Sequence, residues 1–167
     1  HSEVDFIMGL VIKYLREEYE FCVKNNVRVR HTGDITGVPE DVAAEIRSVC
    51  EKTRDFTGMQ VILALNYGGR DEIVRAVRRL VQEAQRAQTA AAVTEDAIRA
   101  RLDNPDIPDP DLIIRTAGEL RTSNFLLWEA AYSELYFSPV YWPDFSERDL
   151  QAALDDYARR ERRFGKA

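Results

Sequence analysis

The strongest constraint on the fold is an apolar run of strand length that ends in a glycine turn and leads into a helix. Residues 59–65 are apolar except for Gln60, and a run without polar alternation is typical of a strand covered on both faces. The turn Asn66-Tyr67-Gly68-Gly69 ends this run. Apolar residues then recur at three- and four-residue spacing over residues 70–87, as in a helix. Strand, turn and helix in this order predict an α/β fold.

The same alternation continues on both sides of this unit. Apolar spacing and turn residues predict further helices at 2–26, from Pro39, from Thr94 and at 145–163, and further strands at 27–30, 111–115 and 135–137. Strands separated by helices favour parallel pairing. We therefore predict one domain over residues 1–167, with a mostly parallel central sheet flanked by helices.

Charge and cysteine content narrow the function. The chain has 23 Lys and Arg residues against 29 Asp and Glu residues, a net charge of −6, which argues against binding nucleic acid through its phosphates. Cys22 and Cys50 lie far apart, with no CxxC motif or Cys/His cluster, so neither a disulfide framework nor a zinc site is indicated. A reducing compartment, and hence a cytoplasmic location, is expected.

The N-terminal region predicts neither a membrane span nor a secretion signal. Its apolar segment, residues 4–15, is interrupted by Asp5 and Lys13 and is too short to cross a bilayer, and no basic stretch precedes it as in a signal peptide. The helix is apolar over most of its circumference, which fits either a core helix or the wall of an apolar binding tunnel. Since His1 lies inside a predicted helix, further residues are expected upstream.

Candidate ligand-binding residues follow two of the predicted strands, because ligands of open α/β sheets bind beyond the carboxyl ends of the strands. In the first turn, Gly68 and Gly69 can expose backbone N–H groups at a helix N-terminus, where an anion is favoured. The alternative is a tight connection without a ligand.

The second turn concentrates basic side chains. Arg115, Arg121 and Ser123 place two guanidinium groups and a hydroxyl near a predicted helix that carries residues 125–128, with Ser123 as its N-cap. Guanidinium groups match phosphate oxygens as paired donors, and a helix N-terminus adds partial positive charge. The segment therefore predicts a diphosphate site. In the alternative, Arg115 pairs with Glu119 and Ser123 only caps the helix.

Two segments in the C-terminal half are long and distinctive: DLIIRTAGELRTSNFLLWEAAYSELYFSPVYWPDF (residues 111–145) and RERRFG. They closely resemble the C-terminal half of cis-prenyltransferases of the undecaprenyl diphosphate synthase type. Upstream segments that also match in order are EVDFIMGLVIKYL, VRVRHTGD and LALNYGGRDEIV. The family's N-terminal Met-Asp-Gly-Asn-Gly-Arg-Trp motif and its Ser-Glu-Asn-Trp loop have no counterpart, so we expect a truncation at the N-terminus.

The resemblance implies a homodimeric enzyme with a non-classical Rossmann-like fold. The implied reaction condenses isopentenyl diphosphate with an allylic diphosphate, with Mg²⁺ as cofactor, to give a Z-polyprenyl diphosphate and pyrophosphate. Peripheral membrane contact for product release is a further expectation. The alternative is a noncatalytic, diphosphate-binding partner subunit of a two-component cis-prenyltransferase.

The resemblance assigns substrate-binding roles to five residues. Arg115, Arg121 and Ser123 match the positions that hold isopentenyl diphosphate. Arg162 and Gly165 belong to a terminal segment that, in the family, reaches the diphosphate of the neighbouring subunit.

Catalytic and metal roles follow in the same way. Glu134 matches a magnesium-associated carboxylate. Asn66 and Arg70 match a motif that supports the catalytic site, and Glu119 matches a position with an orienting role.

Two other classes of protein fit the sequence less well. A generic nucleotide-binding domain would carry a GxGxxG or GxxxxGK[ST] loop, and neither motif occurs. A structural interaction protein would leave the two arginines and the serine of the second turn without a ligand.

Overall fold

The computed structural model describes residues 2–160 of the chain. Within this range the structure has six α-helices and four strands. In chain order they are α1 (Ser2–Glu17), α2 (Tyr19–Lys24), β1 (Arg28–Thr32), α3 (Glu40–Lys52), β2 (Gln60–Ala64), α4 (Gly69–Arg86), α5 (Glu95–Arg99), β3 (Leu112–Arg115), β4 (Glu134–Phe137) and α6 (Glu147–Ala158). Short 3₁₀ helices lie at Ile35–Gly37, Glu129–Tyr132 and Trp142–Asp144.

Both strand pairs in this range are parallel. β1 pairs with β2, with Val29 opposite Val61, and β3 pairs with β4, with Arg115 opposite Phe137. Each pair forms a two-stranded sheet. The connection from β1 to β2 carries α3, as a parallel crossover requires. The predicted α/β class is confirmed.

Contacts divide the chain into two compact units. Unit 1 contains the residues up to Gly68 together with Arg101–Asn104, and unit 2 contains Gly69–Ala100 and the residues from Pro105 onward. Unit 1 therefore holds α1, α2, β1, α3 and β2. Unit 2 holds α4, α5, β3, β4 and α6.

The core of unit 1 forms around α3. Val42, Ala43 and Ile46 on this helix are buried. The α1 residues that pack against this cluster are Met8, Val11, Ile12 and Leu15. These contacts cover the predicted apolar face of α3 and one face of α1, so helix burial is the main source of hydrophobic stabilisation in this unit.

The first helix buries one face and exposes another. Phe6 and Tyr14 on α1 are exposed, although the helix is apolar over most of its circumference. The predicted single helix at 2–26 is interrupted at Glu18, and α2 follows as a separate helix. Among residues 2–160, no helix combines the length and the hydropathy that a membrane crossing needs.

A segment from later in the chain fixes the end of β1. The Asp103 carboxylate accepts hydrogen bonds from Gly33 N at 2.9 Å and from Thr32 Oγ1 at 3.2 Å. Gly33 has a φ of 121°, and a Cβ there would lie 2.2 Å from Leu65 O. Only glycine fits this position, because it combines a left-handed φ with a close backbone approach.

In unit 2, the buried face of α4 differs from the face that its valine spacing predicts. Ala76 and Leu80 are buried, together with the carboxylate-bearing Glu72. Val74 and Val81, which the spacing predicts as core residues, are 46% and 40% exposed. The buried stripe therefore follows the row Glu72, Ala76, Leu80, whose four-residue spacing keeps it on one side of the helix.

Side-chain caps fix the starts of α5 and α6. Thr94 Oγ1 accepts a hydrogen bond from Ala97 N at 3.1 Å, so α5 begins where the sequence predicts. Ser146 and Asp149 form a reciprocal capping box at the start of α6. Hydrogen bonds from Ser146 hold the pKa of the Asp149 carboxyl below its ordinary value.

A buried threonine joins α3 to β1 and provides a test of this packing. Thr53 is fully buried; its Oγ1 accepts from Val29 N at 3.0 Å and donates to Val49 O at 2.9 Å. We expect Thr53→Val to lower the free energy of unfolding by about 1–3 kcal/mol, because Val29 N loses its partner in a buried place. Urea unfolding measures this change, with the exposed Thr89→Val as control. Equal midpoints for the two variants would contradict the prediction.

Candidate functional site

The carboxyl ends of β3 and β4 lie side by side at one edge of their sheet. The second predicted turn, which follows β3, is hydrogen-bonded there to the residues that follow β4. Ser138 N donates to Arg115 O at 2.8 Å, Ala117 N to Val140 O at 2.8 Å and Gly118 N to Ser138 O at 2.9 Å. The turn after β3 is thus bonded to the residues that follow β4. These backbone hydrogen bonds fix the position of the turn.

A pocket of about 260 Å³ opens beside this turn. Its polar lining comes from Arg115, Arg121 and Thr122, and its apolar lining from Ile113, Ile114, Phe125, Leu135 and Phe137. Two guanidinium groups thus share a cavity with aliphatic and aromatic walls. Such a cavity suits a small ligand that has an anionic end and an apolar end.

The two arginines differ in their partners. The Arg121 guanidinium forms an ion pair with the Glu119 carboxylate. Arg115 has no hydrogen-bonded side-chain partner among residues 2–160. The alternative in which Arg115 pairs with Glu119 is therefore not what the structure shows. The ion pair is largely exposed, so a stronger anion can compete for Arg121.

The helix expected at residues 125–128 does not form, and Ser123 is not an N-cap. Ser123, Asn124 and Leu126 have positive φ values of 50°, 64° and 47°, which a right-handed helix cannot accommodate. The chain makes turns here, and a 3₁₀ helix begins only at Glu129. Left-handed backbone at three non-glycine residues is costly and persists only where neighbours hold it.

Asn124 makes the hydrogen bonds that stabilise this left-handed segment. The sequence analysis did not predict this role. Its carbonyl oxygen accepts from Gly69 N at 2.7 Å, and its Oδ1 accepts from Arg70 N at 2.9 Å. These two N–H groups belong to the first turn of α4, which has no carbonyl of its own to bind them. Gly69 must be glycine, because a Cβ would lie 2.8 Å from Leu127 N. Arg70 is thereby fixed at the start of α4, with an exposed side chain.

Asn66 lies in unit 1 and connects two turns. Its Nδ2 donates to Asp34 O at 2.7 Å, and its own carbonyl oxygen accepts from Asp34 N at 3.0 Å. Asn66 has a φ of 49°. A Cβ at Gly37 would collide with the side-chain Nδ2 of Asn66. The Asn66 side chain thus joins the turn after β2 to the turn after β1.

Glu134 lies at the end of the β3–β4 pair that is opposite to Arg115. It begins β4 opposite Leu112, three residues before the Phe137 that faces Arg115, which is about 10 Å along a strand. Its Oε2 accepts from Arg160 Nη1 at 2.8 Å, and hydrogen bonds to Glu134 and Asp156 raise the pKa of Arg160 above its ordinary value.

The described residues do not test the magnesium ion expected at Glu134, because Mg²⁺ takes only one or two protein carboxylates together with phosphate oxygens and water. Within residues 2–160 no group of three or more His, Cys, Asp or Glu side chains could hold a metal ion. The carboxylate of Glu134 is already paired with a guanidinium. Arg162 and Gly165, the predicted contacts to a neighbouring subunit, lie outside the residues that the structure describes.

Comparisons with known proteins identify relatives along almost the whole chain. The model of the undecaprenyl diphosphate synthase family (Prenyltransf) matches residues 1–165. An isoprenyl transferase of Treponema denticola is 44% identical over 166 residues, which are 99% of this chain and 71% of that protein. An isoprenyl transferase of Thermotoga maritima is 48% identical over 164 residues, 98% of this chain and 70% of that protein. The crystal structure of lavandulyl diphosphate synthase from Lavandula x intermedia, in complex with dimethylallyl diphosphate, has a TM-score of 0.94 and 34% identity, over 99% of this chain and 72% of that one.

The role of Asn124 can be tested with two substitutions. Asn124→Ala removes the acceptor for Arg70 N but keeps a Cβ on left-handed backbone, whereas Asn124→Gly removes both the acceptor and the Cβ. We expect Ala to lower the free energy of unfolding by about 1 kcal/mol more than Gly does, because left-handed backbone costs about that much for a residue with a Cβ. Chemical denaturation of the three proteins measures the difference. If Ala is no worse than Gly, the left-handed turn is not a requirement of the fold.

Proposed function

Since the chain belongs to the undecaprenyl diphosphate synthase family of prenyltransferases, we propose that it elongates a cis-prenyl chain by condensing isopentenyl diphosphate with an allylic diphosphate. Pyrophosphate and a Z-polyprenyl diphosphate are the products. The observation that carries this proposal is the pocket beside the β3 turn, where Arg115 and Arg121 face the same cavity as Phe125 and Phe137.

The pocket has the two halves that isopentenyl diphosphate would need. We assign its diphosphate to the guanidinium groups of Arg115 and Arg121, which donate paired hydrogen bonds to phosphate oxygens. We assign its five-carbon chain to the apolar walls at Phe125, Leu135 and Phe137. Ser123 lies two residues after Arg121 and is proposed as a further contact to the diphosphate.

The same arrangement suits the chemistry of prenyl transfer. The pyrophosphate that leaves comes from the allylic diphosphate, whereas the diphosphate assigned to Arg115 and Arg121 stays on the product. The two arginines are therefore proposed to hold isopentenyl diphosphate in place for attack on the cation-like allylic group. Apolar walls keep water from a reactive cation. The Mg²⁺ expected at Glu134 stays a prediction, and no step of this proposal passes through it.

Three further residues, Glu119, Arg70 and Asn66, are proposed to support the site indirectly. Glu119 pairs with Arg121 and is proposed to orient its guanidinium group. Arg70 is fixed at the start of α4 by Asn124, and Asn66 holds the turn after β2 to the turn after β1. We propose these as positioning residues. Two further expectations stay predictions. One is that the exposed apolar face of α1 forms a wall for the growing chain, and the other is membrane contact for product release.

Ligand binding tests the assignment of the arginines. We expect isopentenyl diphosphate and inorganic pyrophosphate to raise the melting temperature, because both bind the folded protein. Arg121→Ala should weaken their binding by more than about tenfold, which is about 1.4 kcal/mol, through loss of a charge-assisted contact. Arg115→Lys should also bind poorly, because lysine lacks the planar pair of donors.

Arg148→Ala is the matched control, since Arg148 is exposed on α6 of the same unit. Unchanged affinity in Arg121→Ala would refute the site. These 167 residues alone are expected to bind diphosphate without condensation, because the motif matched to the allylic diphosphate is absent from them. When the expected upstream segment is added, diphosphate binding without incorporation of labelled isopentenyl diphosphate would favour the noncatalytic subunit over the proposed enzyme.

We also propose a homodimer that uses residues 126–137. Tyr132 is 74% exposed in this segment, and aromatic residues are enriched at subunit interfaces. Sedimentation should give about twice 19.2 kDa at micromolar concentration. Tyr132→Asp should shift the protein toward monomer, whereas Tyr14→Asp, an exposed position in unit 1, should not. A wild-type monomer would contradict the proposal.

A further inference from the structure

A second pocket, of about 340 Å³, lies in unit 1 and has no part in the proposed function. Residues 28–31 of β1 line one side of it, and Ile46, Arg47 and Cys50 of α3 line another. We call it the β1-edge pocket. Its volume falls within the range of about 300–1,000 Å³ that is usual for small-molecule sites. Four of its lining residues are basic or can become so: Arg28, Arg30, His31 and Arg47.

Hydrogen bonds on both sides of β1 fix the strand edge that carries these side chains. Arg28 N donates to Met59 O at 2.9 Å, on the side of the strand that pairs with β2. On the other side Asn104 bonds to the strand: its Nδ2 donates to His31 O at 3.2 Å, and its Oδ1 accepts from Arg30 Nη1 at 3.4 Å. The pocket is thus built on a strand that neighbours hold in place.

Two of the guanidinium groups can accept a ligand without breaking a buried contact. The Arg28 side chain is half-buried, and within residues 2–160 it forms no ion pair or hydrogen bond. Arg47 pairs with Glu40, but both side chains are more than half exposed, so a stronger anion can compete for Arg47. A bound anion would therefore give Arg28 the counter-charge that it lacks in this part of the chain.

The wall of the pocket experiences this positive charge. Burial raises the pKa of the Cys50 thiol, and the guanidinium groups of Arg28 and Arg30 act in the opposite direction. The chain as a whole has a net charge of −6, so the basic pocket stands out from the average charge of the protein. Clustered charge of one sign attracts ligands of the opposite sign.

We propose that the β1-edge pocket binds a small phosphorylated molecule, with its phosphate on Arg28 and Arg47 and its apolar part against Ile35 and Ile46. Guanidinium groups donate paired hydrogen bonds to phosphate oxygens, and the two isoleucines give the same pocket an apolar surface. All the lining residues belong to unit 1. The site therefore shares no residue with the diphosphate pocket of unit 2.

Alkylation by iodoacetamide measures occupancy of the pocket, because Cys50 lines it. The other cysteine of the chain, Cys22, is buried, and its labelling reports unfolding instead. Peptide mass spectrometry follows both rates at constant pH and ionic strength. The probes are inorganic phosphate, phenyl phosphate, which carries an apolar group, and succinate, which is an anion without phosphate.

The proteins compared are wild type and four variants. Arg28→Gln and Arg47→Gln each remove one proposed phosphate contact. Arg54→Gln is the matched control, since Arg54 is exposed in unit 1 and pairs with Glu51 outside the pocket. Arg121→Ala reports any contribution from the diphosphate pocket of unit 2.

We expect phenyl phosphate to slow the labelling of Cys50 but not that of Cys22, and to do so at lower concentration than inorganic phosphate. Arg28→Gln and Arg47→Gln should each raise the half-protecting concentration on the order of tenfold, because each loses a charge-assisted contact. Arg54→Gln and Arg121→Ala should match wild type. Calorimetric titration with phenyl phosphate, which does not depend on labelling, should give the same order of affinities.

Three results would overturn the proposal. The first is that phenyl phosphate neither protects Cys50 nor binds in the titration. The second is binding that Arg28→Gln and Arg47→Gln leave unchanged, or that succinate matches. The third is binding that Arg121→Ala abolishes, which would assign the ligand to unit 2. Since Arg121→Ala is also the test of the proposed function, the two assignments succeed or fail separately.

Discussion

The candidate site depends on the unsatisfied N–H groups at the start of α4. A helix leaves its first N–H groups without carbonyl partners, and Asn124 binds two of them, from Gly69 and Arg70. To reach both, the backbone around Asn124 takes left-handed φ values that prevent a helix there. A local requirement of one helix thus sets the path of a distant loop, and that loop carries Arg121 into the pocket with Arg115.

The turns of unit 1 follow the same principle. Asn66 satisfies both the N–H and the carbonyl of Asp34, and Asp103 satisfies Gly33 N from a segment about 70 residues later in the chain. Buried or crowded turns need such partners because unpaired backbone groups are costly. Glycine at position 33 permits the close approach. In both units, polar side chains from other segments fix the loops at the ends of strands.

The sequence predicts the elements better than it predicts the loops between them. Helices such as α3 follow from apolar periodicity, since they bury one face against a core. The apolar run at β2 predicts the strand correctly but not its burial, because Met59 is 64% exposed and Val61 is 38% exposed. The failed helix at 125–128 has a different cause: its residues favour a helix locally, but Asn124 is bound to an α4 that begins 55 residues earlier, and a local pattern does not contain that bond.

Two acidic residues that follow β3, Glu119 and Glu129, meet the cost of their charge in different ways, and their environments explain the difference. Glu119 is partly exposed and stays charged beside the Arg121 guanidinium, since solvent supports both charges. Glu129 is buried, and burial makes a proton cheaper than a charge. The environment of a carboxyl group thus decides how its charge is met: at the surface a guanidinium partner balances the charge, and in the interior burial favours the protonated form.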